Sequence, residues 1–186
     1  DEGSYLFMPT TMPHASIGET LDVLQKQDMA MKGVPELDTV VGKLGRAESP
    51  LDPAPISMFE TVINYKPQYL TDRNGKRKRF KFDSSKTDFV RAEDATVLLA
   101  ADGEPYKIRG TFIRDEQGQL IPDAKGVPFR HWRPALDPLI NSNRTAWAGI
   151  QKPDDIWEQI LKVVELPGTT SAPKLQPIAA RVVMLQ

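Results

Sequence analysis

The chain has 186 residues, 40% hydrophobic and 26% charged, the composition of an ordinary folded protein long enough for one domain or a domain carrying a subdomain. Its net charge of -1, from 24 basic and 25 acidic residues, supplies no long-range attraction for nucleic acid or an anionic lipid surface, and nucleic acid is not expected as a partner. The absence of cysteine excludes disulfides, thiol catalysis and iron–sulfur clusters, and two histidines are too few for a histidine-rich zinc site, so six methionines are the main supply of soft metal ligands.

In chain order, Ser4 to Pro9 reads as a strand closed by proline. Ser16-Ile17-Gly18-Glu19 matches a capping box, predicting a helix whose apolar stripe is Ile17, Leu21, Leu24 and Met31 and which stops at Gly33 and Pro35. Thr39 to Leu44 and Ser57 to Lys66 read as strands, separated by a proline-rich loop, Glu48 to Pro55. In the second of these strands, alternation puts Phe59, Thr61, Ile63 and Tyr65 on a packed face and Met58, Glu60, Val62, Asn64 and Lys66 on a polar one. Asp154 is expected to cap a second helix running to about Glu165, with Ile156, Trp157, Ile160, Leu161 and Val164 on its apolar face and Leu166-Pro167-Gly168 at its end. The order β-α-β-β-α points to an α+β layer with both helices on one side of a small sheet.

Between the last strand and that helix the texture changes. Turn signals at Asn74-Gly75, Asp102-Gly103, Gln117-Gly118 and Lys125-Gly126 divide short candidate strands at Arg79–Phe82, Thr96–Ala100, Tyr106–Arg114 and Gln119–Pro122. Residues 68–131 therefore read as an inserted β-hairpin subdomain, and residues 1–67 with 132–186 as the frame that carries it. No internal repeat with a period of 20 to 50 residues is evident. The basic cluster Arg73, Lys76, Arg77, Lys78, Arg79 and Lys81 reads as the solvated tip and edge of a hairpin, because no stacking platform of aromatics accompanies it.

Nothing indicates an enzyme. His14 lies in a proline-flanked turn and His131 beside Trp132, and no nucleophile elbow, phosphate-cradling glycine loop or His-Glu-x-x-His is present. Met29 and Met31 fit the first helix as packing residues. Met58 stands apart, since it shares the polar strand face with Glu60, as a side chain lining a cleft would. Met8 ends the first strand before Pro9, and Met184 follows Arg181-Val182-Val183. The chain opens on Asp1 and stops at Gln186 with neither signal segment nor tail, which suggests a piece of a longer protein.

Tyr5-Leu6-Phe7-Met8-Pro9-Thr10-Thr11-Met12-Pro13, Val34-Pro35-Glu36, Gly42-Lys43-Leu44-Gly45-Arg46-Ala47-Glu48, Met58-Phe59-Glu60-Thr61, Trp132-Arg133-Pro134 and Ala180-Arg181-Val182-Val183-Met184 resemble, in order, the periplasmic porter region of CusA-type heavy-metal efflux transporters of the RND class, copper/silver branch. The resemblance covers residues 2–67 and 132–186 and departs from compact members at 68–131 and in the long stretch Ala135 to Lys152. It implies an RND porter-type layer lining a periplasmic cleft of a proton-driven antiporter in the bacterial inner membrane. It implies that Met8, Met58 and Met184 bind Cu(I) or Ag(I) as the transported ion, with no organic cofactor. Asp52, Glu60, Arg181 and Glu2 match charged positions near the metal route. The partners implied are a periplasmic adaptor (membrane fusion) protein and neighbouring protomers of a trimeric pump. A rival reading makes the same region an assembly module that contacts adaptor or neighbour without binding metal; a multidrug porter would carry a more aromatic pocket than an 8% aromatic content suggests.

Overall fold

The computed structural model describes residues 2–12, 15–44, 59–100, 102–145, 147, 149–170 and 172–177. The chain is a mixture of helix and strand in two compact units: Asp1–Lys66 with Pro153–Gln186, and Pro67–Lys152.

The first unit contains β1 (Ser4–Phe7), α1 (Ile17–Lys32), β2 (Leu37–Leu44), β3 (Phe59–Tyr65) and α2 (Pro153–Val164). The sheet is antiparallel in the order β1-β3-β2, with Tyr5 opposite Ile63 and Val40 opposite the same residue from the other side. Beyond β1, Leu175 forms a further antiparallel bridge to Leu6, so a fourth piece of chain covers the edge of β1. This is the arrangement of a split β-α-β layer.

Alternation in β3 follows the pleat. Phe59, Thr61, Ile63 and Tyr65 are buried, whereas Glu60 and Val62 are half-buried and Asn64 is exposed. The buried face meets the helices: the Trp157 ring of α2 lies 5.2 Å from Tyr5 and 6.2 Å from Phe7, and Tyr5 stacks at 5.0 Å on Tyr65. The Tyr5 hydroxyl donates to the carbonyl of Pro153 at 2.6 Å, and burial pushes it up to about 12. Tyr65 and Pro153 thus both lie against Tyr5, and the chain leaves this unit and re-enters it at neighbouring points.

The Ser16 capping box forms, with Glu19 N–H on Ser16 Oγ at 3.2 Å and Ser16 N–H on the Glu19 carboxylate at 2.7 Å. The face that α1 buries differs from the apolar stripe in the sequence. Ile17 and Leu21 are 61% and 42% exposed, and the buried residues are Thr20, Leu24, Gln27 and Met31. Two polar side chains are tolerated there because each has a main-chain partner: Thr20 donates to Ser16 O at 3.0 Å, and the Gln27 amide donates to Val164 O, the last residue of α2, at 2.8 Å. The second helix starts at Pro153, which needs no N–H partner in the first turn, so Asp154 lies inside that turn rather than at the cap.

Gly42 of β2 lies close beneath α1. A methyl group there would stand 2.5 Å from Asp28 Oδ2 and 2.6 Å from Leu24 Cδ1. Burial raises the Asp28 carboxyl above the ordinary carboxylate range, against the opposing effects of the Thr61 hydroxyl at 3.4 Å, the Gly42 N–H and the charge of Lys32. A carboxyl raised in the folded state leaves the unfolded chain to ionise first. Stability is therefore lost as pH rises from the unfolded value through the folded one, and the whole cost is present at neutral pH. Asp28→Asn, which keeps the size and the acceptor oxygen, is expected to raise Tm at neutral pH and to leave it unchanged well below the carboxylate range. Equal shifts in thermal melts at both pH values would refute the assignment.

The second unit is built from hairpins. β4 (Arg79–Phe80) pairs with β7 (Val127–Pro128), and β5 (Phe82–Phe89) with β6 (Lys107–Phe112). Candidate strands at Thr96–Ala100 and Gln119–Pro122 appear only as isolated bridges, Arg91–Val97, Leu99–Pro105, Arg114–Leu120 and Phe80–Pro122. Three hairpins nevertheless repeat one hydrogen-bond scheme. Lys78 N–H returns to Leu70 O at 2.8 Å, Leu98 to Val90 at 2.9 Å and Ile121 to Ile113 at 3.2 Å, and each encloses a turn closed by Gly75, Ala95 or Gly118. In the first and third, an aspartate (Asp72 or Asp115) accepts two loop N–H groups at 2.8–3.0 Å.

Trp132 to Lys152, read with the frame from the sequence, falls in this second unit. Trp147 packs edge-on to Tyr106 at 4.6 Å, the Asn141 amide exchanges two hydrogen bonds with the Lys107 backbone at 2.8 and 2.9 Å, and Arg144 donates to Pro105 O at 3.1 Å. Those contacts tie the segment to β6.

Candidate metal-binding site

In the first unit, antiparallel pairing brings the end of β1, the end of β2 and the start of β3 to one edge of the sheet. Met8 leaves β1 there, half-buried. Two bridges flank it, Leu6–Leu175 before and Thr11–Thr169 after. Thr170 N–H donates to Thr10 O at 3.0 Å, and the two hydroxyls meet at 2.7 Å. The β1 exit is thereby fixed against the chain that follows α2, and Met8 is held at a defined place although it lies outside regular structure.

Glu60 stands at the same edge on the face away from the helices, half-buried, with Lys43 of β2 opposite. Phe7, the last residue of β1, pairs with Thr61, the neighbour of Glu60 in β3. Glu2 is half-buried ahead of β1, at the other end of that strand. Met58, Met184, Asp52 and Arg181 lie outside the described residues. The structure therefore brings Met8 and Glu60 to one edge and separates Glu2 from them.

The side chains available at this edge are a neutral thioether and a carboxylate. A thioether holds soft monovalent ions in preference to hard or borderline divalent ones and needs no deprotonation to do so. Among the described residues, no group of three or more His, Asp and Glu gathers as a metal cluster, and no helix is long and apolar enough to cross a membrane.

No protein-family model matches the chain. The cation efflux system protein CusA of Escherichia coli, strain K12, is 47% identical over 68 residues, 37% of this chain and 6% of CusA; the O157:H7 protein matches equally. The putative cation efflux system protein SilA of Salmonella typhimurium is 46% identical over 68 residues. This chain thus spans about 6% of the length of the curated relatives it matches. The crystal structure of a heavy metal efflux pump (crystal form II) aligns with 39% of this chain and 8% of its own at 28% identity and a TM-score of 0.35. By sequence, this chain carries a segment of CusA type, similar to the CusA and SilA cation efflux system proteins.

Proposed function

We propose that this chain is a metal-binding porter region, on the periplasmic side, of a proton-driven Cu(I)/Ag(I) efflux pump, and that Met8, Met58 and Met184 hold the ion through their thioether sulfurs. The observation that carries the reading is the 47% identity to the CusA cation efflux proteins over 68 residues. Support also comes from Met8 standing between two tertiary bridges at the sheet edge where β3, the strand directly after Met58 in sequence, begins.

The proposed chemistry follows from the ligand type. Three neutral thioethers favour a soft monovalent ion over Zn(II) or Ca(II). A transport site has to release its cargo. Structural zinc is held by about 10–16 kcal/mol, whereas a micromolar ligand is held by about 8 kcal/mol. Thioethers without a thiolate suit the weaker regime. Glu60, Asp52 and Arg181, with Glu2, would set the potential along the ion's route; the membrane helices of a whole pump would supply proton coupling. In such a pump this region would face an adaptor protein and neighbouring protomers of a trimer. The second unit would be an addition to a porter-type frame, in keeping with neighbouring exit and re-entry points at Tyr65 and Pro153.

Titration of the chain with Ag(I), followed by methionine methyl NMR, tests the site. Ag(I) is expected to bind with a Kd of roughly micromolar order and Zn(II) far more weakly. Met58→Ile and Met8→Ile keep bulk and β propensity while removing sulfur, so each should abolish Ag(I) binding and leave the circular dichroism spectrum intact. Unchanged Ag(I) affinity in both variants would favour an assembly module without metal.

A further inference from the structure

A second site lies in the hairpin unit, independent of the methionines. Between β5, β6 and β7 is a cavity of about 340 Å³, inside the range of small-molecule sites. Its walls are largely aromatic. Phe82 meets Phe112 edge-on at 5.0 Å, Phe112 meets Phe129 at 5.2 Å, and Tyr69 and Trp132 complete the lining. The Phe82 ring reaches its position because Gly110 lies beneath it: a methyl group on Gly110 would stand 2.0 Å from Phe82 Cζ.

The charged side chains of the lining are unbalanced, with three guanidiniums, Arg91, Arg114 and Arg130, against one carboxylate, Asp88. Asp88 is already engaged. It accepts Thr111 Oγ1 at 2.7 Å, its own neighbour Phe89 N–H at 2.7 Å, and Arg91 through Nε and Nη2 at 3.3 and 3.2 Å. Arg114 spends its donors on the main-chain carbonyls of Ala92, Glu93 and Gly118 at 2.7–2.9 Å. Those bonds hold the group in place, and the carboxylates of Asp94, Asp88 and Glu93 act on its charge, so Arg130 is the guanidinium left for a ligand. Arg130 donates from Nη2 to Ile150 O, and its Nε is buried without a hydrogen-bond partner. A buried donor left without an acceptor is unfavourable, and an acceptor entering with a ligand would relieve that cost.

Aromatic walls, an excess of positive charge and an unused buried donor describe one class of occupant. We propose that the cavity binds a small apolar molecule carrying a single anionic group, its apolar body against Phe82, Phe112 and Phe129 and its carboxylate or sulfonate toward Arg130. The positive excess disfavours a cation, and an uncharged apolar molecule would leave the Arg130 donor unused.

The test uses the whole chain and two dyes with the same ring system. Anilinonaphthalene sulfonate carries the anion, and N-phenylnaphthylamine lacks it. Calorimetric titration is expected to give one sulfonate-dye site per chain, at least tenfold tighter than that of the neutral dye. Val127 lies 41% exposed in β7 at the cavity, and Val127→Trp should weaken both dyes by blocking the space. Arg130→Met should weaken the sulfonate dye at least tenfold and leave the neutral dye within twofold. Arg130→Lys, which restores the charge, should recover part of the loss. Near-ultraviolet circular dichroism establishes that each variant keeps its packing. Sulfonate-dye binding unaffected by Val127→Trp places the dye elsewhere and overturns the site. Equal losses of both dyes in Arg130→Met overturn the anion's role.

Discussion

Trp157→Ala is expected to remove about 3–5 kcal/mol from the first unit, the range for truncating a large buried aromatic. The indole is 7% exposed and is a contact of α2 with β1, at 5.2 Å from Tyr5 and 6.2 Å from Phe7. Domain stabilities are about 5–15 kcal/mol, so the variant should stand near its unfolding midpoint at modest urea concentration. Trp157→Phe retains a ring against β1 and should lose much less. The measurement separates the units, because the other two tryptophans, Trp132 and Trp147, lie in the second. Far-ultraviolet circular dichroism of Trp157→Ala should show an early transition while tryptophan fluorescence keeps a late one. Coincident shifts of both signals would mean that the units unfold as one.

Gly110→Ala should strongly destabilise the second unit. The residue has φ of 84°, where an L side chain costs about 1–2 kcal/mol. Its new Cβ would also stand 2.0 Å from Phe82 Cζ and 2.3 Å from Cε1, and such overpacking costs about 1–3 kcal/mol more. The ring has to leave, and its edge contact with Phe112 goes with it. Gly103→Ala is the matched control, with φ of 82° and nothing within 4 Å of the added carbon. Urea unfolding should show the larger loss for Gly110→Ala by the overpacking share alone. Equal losses would mean that the Phe82 ring yields at no cost.

Features set by neighbouring residues were legible in the sequence. The Ser16–Glu19 box needs only residues three apart, and the alternation of Phe59 to Lys66 needs only one buried face. Burial of Thr20 and Gln27 was not legible, because the partner that makes Gln27 acceptable is the carbonyl of Val164 in the other helix. β5 was missed for a different reason. Asp83-Ser84-Ser85-Lys86-Thr87-Asp88 is polar throughout, and its pairing with β6 shifts register between Asp83 and Thr87. The repeat of hairpins is faint in the sequence because it lives in the main chain: Arg91 and Arg114, Glu93 and Glu116, or Pro105 and Pro128 correspond amid otherwise different residues. The boundary at Lys152 depends on Trp147 finding Tyr106, a contact no local pattern announces. For the candidate metal site, strand alternation singles out Met58, and the trio with Met8 and Met184 rests on family resemblance. The cavity was invisible, since its walls run from Tyr69 to Pro134.

The repeated hairpins have a kinetic consequence. Each closes a hydrogen bond between residues eight apart in sequence, such as Leu70 with Lys78, and hairpins form in about 1–10 μs. The first unit pairs β1 with β3 far along the chain and needs α2 and Leu175 to cover it. High contact order makes that closure slow. On a ribosome delivering about 5–20 residues per second, these three hairpins should therefore form as they emerge, while β1 still waits for α2.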